Sequence, residues 1–209
     1  MGTKKFEGLA KSRYEDIRPS IRTGDLFFAS GNYLVSRMIR KFSDSAFSHV
    51  GFVFTWNSRV LLLESVEDDG VRMVPLSQYV SDYENSGKGY DGRLFLARHS
   101  AKLDAAKTSA MLGAAADALN RKYDKDEIAA IHARVTMGVG RHSDNDAYIC
   151  SEFVDVCFRQ VGVTFPRDPK GFIFPEHIAA DPNVSPLAEI QPDPAAEPAS
   201  PFPYSPDFG

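Results

Sequence analysis

Five short apolar segments separated by turn residues constrain the fold of this chain more than any other feature of its sequence. The segments cover residues 26–29, 48–54, 60–66, 71–76 and 93–98. Compact turns at 56–59 and 67–70 join three of them. Consecutive strands on turns this short pair with each other in an antiparallel sheet.

Apolar residues at helical spacing lie between and after these strands. They predict helices over 32–42, 104–119 and 150–160, a short helix within 125–135 and a helical turn at 176–178. A chain of 209 residues suits one domain with a substantial core. We therefore predict an α+β fold in which an antiparallel sheet or small barrel packs against the helix that begins at Cys150.

The composition changes at both ends of the predicted domain, which we place at residues 24–184. Residues 1–23 are polar and basic and predict an N-terminal arm. Residues 185–209 contain seven prolines among acids and alanines, which is typical of a disordered or polyproline-like tail. The aromatic residues of this tail make it a candidate for docking to an unidentified protein partner, although a merely flexible tail is the more ordinary interpretation.

The charge distribution argues against nucleic acid as a partner. No lysine or arginine follows Lys170, whereas residues 171–209 contain six acids. Without those acids the net charge changes from -4 to about +2, and no clustered basic face is visible.

No segment is typical of membrane insertion or export. No apolar run approaches the ~20 residues of a membrane span. The basic N-terminus is not followed by the apolar stretch of a signal peptide. Such a chain is expected in the cytoplasm, or outside it by a non-classical route.

The chain has two cysteines, Cys150 and Cys157. At that spacing in one helix their Cα atoms lie roughly 10 Å apart, beyond the reach of a disulfide. Two cysteines also fall short of a structural zinc pattern, and no nucleotide-binding motif is present. The sequence therefore predicts no disulfide, no metal site and no cofactor.

Cys150 is the strongest candidate for a nucleophile. It lies in the first turn of its predicted helix, where unpaired N–H groups and the helix dipole favour a thiolate and suit an oxyanion. His49, in a strand far earlier in the chain, is a candidate base for the thiol proton. The alternative is a buried cysteine, because Cys150 shares a helix face with Val154 and Cys157. Cys157 itself, in mid-helix, is predicted to be a core residue.

Glu64 is the candidate third member of this site. It interrupts a run of aliphatic residues, where a charged side chain is costly without a partner. With a two-residue hairpin loop at 56–57, Glu64 lies opposite His49, and with a loop at 57–58 it becomes the diagonal neighbour. Any even loop places both side chains on one face, whereas an odd loop separates them. The competing interpretation is a solvated glutamate at a strand edge.

The roles of these residues follow from their chemistry. A carboxylate beside His49 would orient the imidazole and stabilise its charged form. Gly51, on the same face of the strand as His49, predicts an opening beside the imidazole in which a substrate could lie.

Seven short motifs occur along residues 24–180 in a characteristic order. They are Gly24-Asp25-Leu26, Ser48-His49-Val50-Gly51, Leu63-Glu64-Ser65, Val74-Pro75-Leu76, Tyr123-Asp124, Cys150-Ser151-Glu152-Phe153-Val154 and Pro175-Glu176-His177-Ile178. This order resembles the circularly permuted papain-like amidases of the YaeF/YiiX type, in the NlpC-type cysteine peptidase superfamily. In that family the histidine precedes the cysteine. The resemblance implies a permuted papain-like fold with Cys150 as nucleophile, His49 as base and Glu64 as the orienting group.

The resemblance also implies an activity and some weaker site candidates. Tyr123, Tyr148 and Ser151 are candidates for contact with the substrate or the oxyanion. The implied reaction is amide hydrolysis through an acyl-enzyme, on peptides or on peptidoglycan fragments. An acyl-lipid or thioester substrate is the alternative among enzymes. A non-catalytic binding or structural module is the alternative outside them.

Overall fold

A sheet of seven strands forms the centre of the computed structural model, which describes residues 3–31, 45–123 and 148–192. The strands are β1 (Lys11–Arg13), β2 (Asp25–Gly31), β3 (His49–Trp56), β4 (Arg59–Val66), β5 (Gly70–Pro75), β6 (Gly92–His99) and β7 (Val184–Gln191). They lie in the order β1-β7-β6-β2-β3-β4-β5. Neighbouring strands are antiparallel except β1 and β7, which are parallel. Within the described ranges β1 does not pair with β5, so the prediction of a sheet is confirmed rather than that of a barrel.

The sheet separates two hydrophobic clusters because alternate residues of each strand point to opposite faces. Phe28 and Phe52 belong to one cluster, and Phe27 and Val53 belong to the other. Strands β2, β3 and β4 are therefore buried along most of their length, as strands covered on both faces are.

Five α-helices accompany the sheet in the described part of the chain. They are α1 (Tyr14–Ile17), α2 (Leu76–Ser81), α3 (Ala105–Ala118), α4 (Cys150–Arg159) and α5 (Pro175–Ala180). The side chain of Asp104 accepts a hydrogen bond from the backbone of Lys107 and so caps the start of α3. None of these helices is both long and apolar enough to cross a membrane. The helices predicted at 32–42 and 125–135 lie outside the described residues.

Both ends of the described chain join the sheet, which differs from the predicted arm and tail. Phe6 is 2% exposed and packs its ring against Phe28, Phe47 and Phe95. Strand β7 occupies residues predicted as the start of the disordered tail. Its Pro186 is tolerated because the pairing of β6 with β7 is irregular at that point. The rest of the predicted tail, residues 193–209, lies outside the described ranges.

Candidate active site

The β3–β4 hairpin brings His49 and Glu64 together. The strand register leaves Asn57 and Ser58 as the loop. This is the even loop that makes Glu64 the diagonal neighbour of His49 on one face of the sheet. Nε2 of His49 lies 2.7 Å from Oε2 of Glu64. The solvated glutamate considered as an alternative is therefore wrong.

The Glu64 carboxylate has no exposed surface and three side-chain partners. Besides His49, the hydroxyl of Tyr79 donates to Oε2 at 2.7 Å and Nε of Arg72 donates to Oε1 at 2.9 Å. Burial alone would raise the pKa of Glu64, but the hydrogen bonds and positive charges of these neighbours hold the pKa below its ordinary value. Glu64 is therefore a carboxylate at neutral pH.

Helix α4 places Cys150 at the end of the same hairpin. The helix packs against β3 and β4, and the ring of Phe52 lies 5.8 Å from that of Phe153, centroid to centroid. One residue beyond Glu64, the Ser65 hydroxyl donates to the carbonyl oxygen of Tyr148 at 2.7 Å. This bond ties the segment that leads into α4 to strand β4.

The His49 imidazole interacts with both the Glu64 carboxylate and the Cys150 side chain. Nε2 faces Glu64, so Nδ1 is the ring nitrogen that Glu64 leaves available. Burial lowers the pKa of His49, but hydrogen bonds with Cys150 and Glu64 and the negative charges of both raise it to about 10. The imidazole is therefore protonated at neutral pH, a state that suits a thiolate partner.

A cavity of about 490 Å³ opens beside His49. It is lined by Ser48, His49, Ser65, Val66, Glu67, Asp68, Asp69, Arg72, Tyr79, Tyr83, Glu84, Asn85, Tyr90 and Tyr123. Apart from Val66, these described lining residues are polar, charged or aromatic. The cavity is thus a polar space next to the candidate base.

An opening beside the imidazole is present as predicted, but Gly51 does not border it, so its attribution to Gly51 is wrong. A side chain at Gly51 would meet the carbonyl oxygen of Leu63 at 2.8 Å and Cβ of Glu64 at 3.2 Å. The missing side chain therefore makes room for Glu64 rather than for a substrate.

The three weaker candidates lie in different surroundings. Tyr123 is nearly buried and lines the cavity. Tyr148 is half-buried and packs against the core while its carbonyl oxygen accepts the bond from Ser65. The hydroxyl of Ser151 is buried and donates to the carbonyl oxygen of Ile173 at 2.7 Å. The Ser151 hydroxyl is therefore already bonded to the backbone.

Sequence reasoning missed three residues that support the site: Arg72, Tyr79 and Ser65. Arg72 is paired directly with Glu64 across β4 and β5. The hairpin arithmetic that placed Glu64 beside His49 could have found this pair of opposite charges as well. Tyr79 lies in α2, a short helix that no periodicity predicted, and nothing in the sequence marked Ser65 as a hydrogen-bond donor to the other side of the site.

Cys150 and Cys157 are both buried, at 2% and 0% exposed, and belong to the same hydrophobic cluster. Burial raises the pKa of the Cys157 thiol to about 12, as suits a core cysteine, whereas Cys150 interacts with His49. Among the residues that the structure describes, no group of three or more His, Cys, Asp or Glu side chains is arranged to hold a metal ion.

Comparison with known proteins adds to this geometry. The crystal structure of the metalloprotein YiiX from Escherichia coli O157:H7 has a similar fold, with a TM-score of 0.50 and 17% sequence identity. The match covers 82% of this chain and 99% of that one, and at this identity it shows the fold alone. No curated protein matches this chain in sequence.

The sequence profile of one family matches residues 20–186. Its description is "Permuted papain-like amidase enzyme, YaeF/YiiX, C92 family". The match confirms the resemblance seen in the motifs and supports, in broad terms, a cysteine-dependent hydrolase. The chain belongs to this family of permuted papain-like amidases.

Proposed function

We propose that this protein is a cysteine amidase in which Cys150 is the nucleophile, His49 the acid and base, and Glu64 the group that orients His49. The observation that carries the proposal is the hydrogen-bond contact between the buried Glu64 carboxylate and His49, an imidazole whose pKa both Glu64 and Cys150 raise. The three residues lie on β4, β3 and the first turn of α4, so their contact depends on the folded chain. Membership in a papain-like amidase family supports the same roles.

In the proposed reaction the Cys150 sulfur attacks the carbonyl carbon of an amide. The carbonyl electron pair moves to oxygen, and backbone N–H groups in the first turn of α4 are suited to stabilise this oxyanion. His49 gives its proton to the amine nitrogen, the C–N bond breaks and a thioester remains. Water then adds as His49 takes its proton, the C–S bond breaks and the acid leaves.

The cavity beside His49 favours a polar amide over an acyl chain. Fatty acyl groups bind in apolar channels, whereas the described lining here contains acids, serines and tyrosines with Val66 as its aliphatic member. We therefore propose peptides or peptidoglycan peptides as substrates, with amide nitrogen as the leaving group.

The rate of alkylation of Cys150 against pH, measured by mass spectrometry with iodoacetamide, tests the proposed nucleophile. We expect fast labelling at pH 6, where an ordinary cysteine is almost entirely protonated, and its loss in His49→Ala. Cys157 is the internal control, since its raised pKa keeps its thiol protonated and unreactive at pH 6. Labelling of Cys150 no faster than that of Cys157, or unchanged by the substitution, would contradict the proposal.

A substrate panel tests the proposed reaction. Peptides, peptidoglycan fragments and acyl esters are incubated with the wild type and with Cys150→Ala, and the released products are identified by mass spectrometry. We expect release of an amine and an acid from an amide, and none with the variant. Turnover of acyl esters alone would replace this proposal with the lipid alternative, and no turnover would favour a binding module.

A further inference from the structure

We propose that Arg72 and Tyr79 are positioning residues that act on His49 through Glu64, and that Asp69 in turn holds Arg72. This inference rests on the proposed function, since it assigns the groups that keep the orienting carboxylate charged and aimed. Each oxygen of the Glu64 carboxylate has its own hydrogen-bond partners.

The two carboxylate oxygens of Glu64 form hydrogen bonds with residues on different elements of the fold. Oε1 accepts from Nε of Arg72 on β5, and Oε2 accepts from Tyr79 on α2 as well as contacting His49. A carboxylate held at both oxygens cannot rotate, so Oε2 stays directed at the imidazole. That direction determines which ring nitrogen of His49 is left for Cys150.

Arg72 provides the permanent positive charge at this carboxylate. Three groups surround the Glu64 carboxylate: His49 on β3, Arg72 on β5 and the hydroxyl of Tyr79 on α2. The ring of Tyr83 packs against the far side of Tyr79. Tyr79 is a neutral donor, because burial and the charge of Glu64 raise its pKa well above the ordinary value. When His49 loses its proton, Arg72 is the cation still bonded to Glu64.

Asp69 fixes the other end of the Arg72 side chain. Its carboxylate forms an ion pair with Nη1 of Arg72 from the turn between β4 and β5. Asp69 and Arg72 both line the cavity, whereas Glu64 lies behind it. The turn that borders the proposed substrate space is thereby connected to the orienting carboxylate.

Tyr79 also contacts the imidazole region through its ring. The rings of Tyr79 and His49 are nearly parallel, with 7° between their planes and 6.5 Å between centroids. Replacing Tyr79 by phenylalanine keeps this ring and removes the hydroxyl bond to Oε2. That variant separates the packing of Tyr79 from its hydrogen bond.

The test uses two readouts on the full chain, in the variants Arg72→Gln, Arg72→Lys and Tyr79→Phe. In the first readout, the NMR chemical shifts of the His49 ring are followed against pH, and an inflection at acid pH reports protonation of Glu64 whether or not the protein is active. In the second, the rate of Cys150 alkylation is followed against pH, and the pH at which it falls on the acid side reports whether Glu64 still orients the imidazole. Arg98→Gln is the matched control, because Arg98 forms a similar ion pair with buried Asp25 in another part of the sheet.

We expect Arg72→Gln to move the acid-side inflection and the alkylation limb to higher pH by about one to three units, the usual effect of an opposite charge on a carboxylate. In Arg72→Lys the positive charge is kept, so both inflections should lie close to their wild-type pH. Tyr79→Phe should shift them by less than Arg72→Gln does. Arg98→Gln should lower the melting temperature and leave both inflections in place. If Arg72→Gln does not fold, Arg72→Lys and Asp69→Asn, which removes the tether, decide the matter by the same readouts.

The inference would be overturned if both inflections of Arg72→Gln lay at the same pH as those of the wild type. It would also be overturned if Arg98→Gln shifted them as far as Arg72→Gln does. Failure of the proposed function has a different signature. In that case Cys150 of the wild type is not labelled at pH 6, while the NMR inflection still reports whether Arg72 controls Glu64.

Discussion

Glu64 has no exposed surface, and a carboxylate in such a place destabilises a fold unless it is paired and hydrogen-bonded. Other buried acids in the described part of this protein are paired in the same way. Asp25 binds Arg98 through two hydrogen bonds, and Asp155 forms ion pairs with Arg159 and Arg167. What distinguishes Glu64 is that a histidine shares the carboxylate. In the other pairs the ion pair supports the fold. In Glu64 it also places a negative charge beside the His49 imidazole, a group that can transfer protons.

The titration of His49 tests this arrangement at the level of one side chain. NMR of the ring should show a midpoint near pH 10 instead of the ordinary 6.5, because the bonds and charges of Glu64 and Cys150 outweigh burial. In Glu64→Gln the carboxylate charge is lost and the midpoint should fall. A midpoint near 6.5 in the wild type, or one unchanged by the substitution, would contradict the assigned contacts.

The same raised pKa has a consequence for stability. The folded-state pKa of His49 lies above its unfolded value, so its contribution is fully present below pH 6.5 and is lost as pH rises through about 10. Urea unfolding at several pH values should therefore show the free-energy difference between the wild type and Glu64→Gln shrinking across this range.

At the scale of elements, the β3–β4 hairpin determines the site more than any other unit. It carries His49 and Glu64, and its register is set by the loop at Asn57 and Ser58. Asn57 has a positive φ of 51°, which asparagine tolerates better than most residues. Gly51 completes the hairpin's role because its missing side chain leaves the space in which Glu64 lies.

Substitution of Gly51 by alanine tests this role. The added methyl group would lie 2.8 Å from a backbone oxygen of β4, which cannot move without disturbing the strand pairing. We expect a loss of about 1–3 kcal/mol in the free energy of unfolding and a slower alkylation of Cys150. Denaturant unfolding measures the first effect and mass spectrometry the second.

Gly113→Ala is the matched control for that experiment. Gly113 lies in helix α3, and nothing lies within 4 Å of the position its Cβ would take. There alanine should stabilise the protein by about 0.5–1 kcal/mol and leave alkylation unchanged. If Gly51→Ala behaved like Gly113→Ala, the close fit of Gly51 against Glu64 would be wrong.

At the scale of the whole molecule, the sheet joins parts of the chain that are far apart in sequence. Strand β7, near the end of the described residues, pairs with β6 on one side and with β1 on the other. Glu189 of β7 accepts two hydrogen bonds from Arg93, at 3.0 and 2.8 Å. The strand that composition assigned to a tail is therefore an interior strand of the sheet.

Truncation tests the contribution of β7. A chain that ends at Asn183 loses both strand pairings and exposes core residues of the sheet. We therefore expect no cooperative thermal transition by circular dichroism. A chain that ends at Pro192 retains all of β7 and should melt as the full chain does. An Asn183-terminated chain with the melting temperature of the full chain would contradict the role assigned to this strand.

The main elements of the fold were predictable from the sequence because their signals are local. Alternating apolar residues and short turns predicted β2 to β6, and helical spacing predicted α3 and α4 to within a few residues. The pairing of His49 with Glu64 was predictable for the same reason, since only the parity of a short loop decides it. The short strand β1 and the proline-containing β7 carry no such signal. Strand β7 forms because the edge of β6 is available to pair, and β1 then pairs with β7.

By itself, the sequence determined the candidate nucleophile, base and carboxylate, because reactive residue types at the first turn of a helix and on a short hairpin are visible in the linear order. The tertiary structure alone decided how the carboxylate is held. Tyr79 and Ser65 reach their partners from α2 and β4 across contacts that no local pattern encodes, and the cavity forms where these elements meet. Contacts with Glu64 and Cys150 raise the pKa of His49 against the lowering effect of burial, and these contacts exist only after the chain has folded.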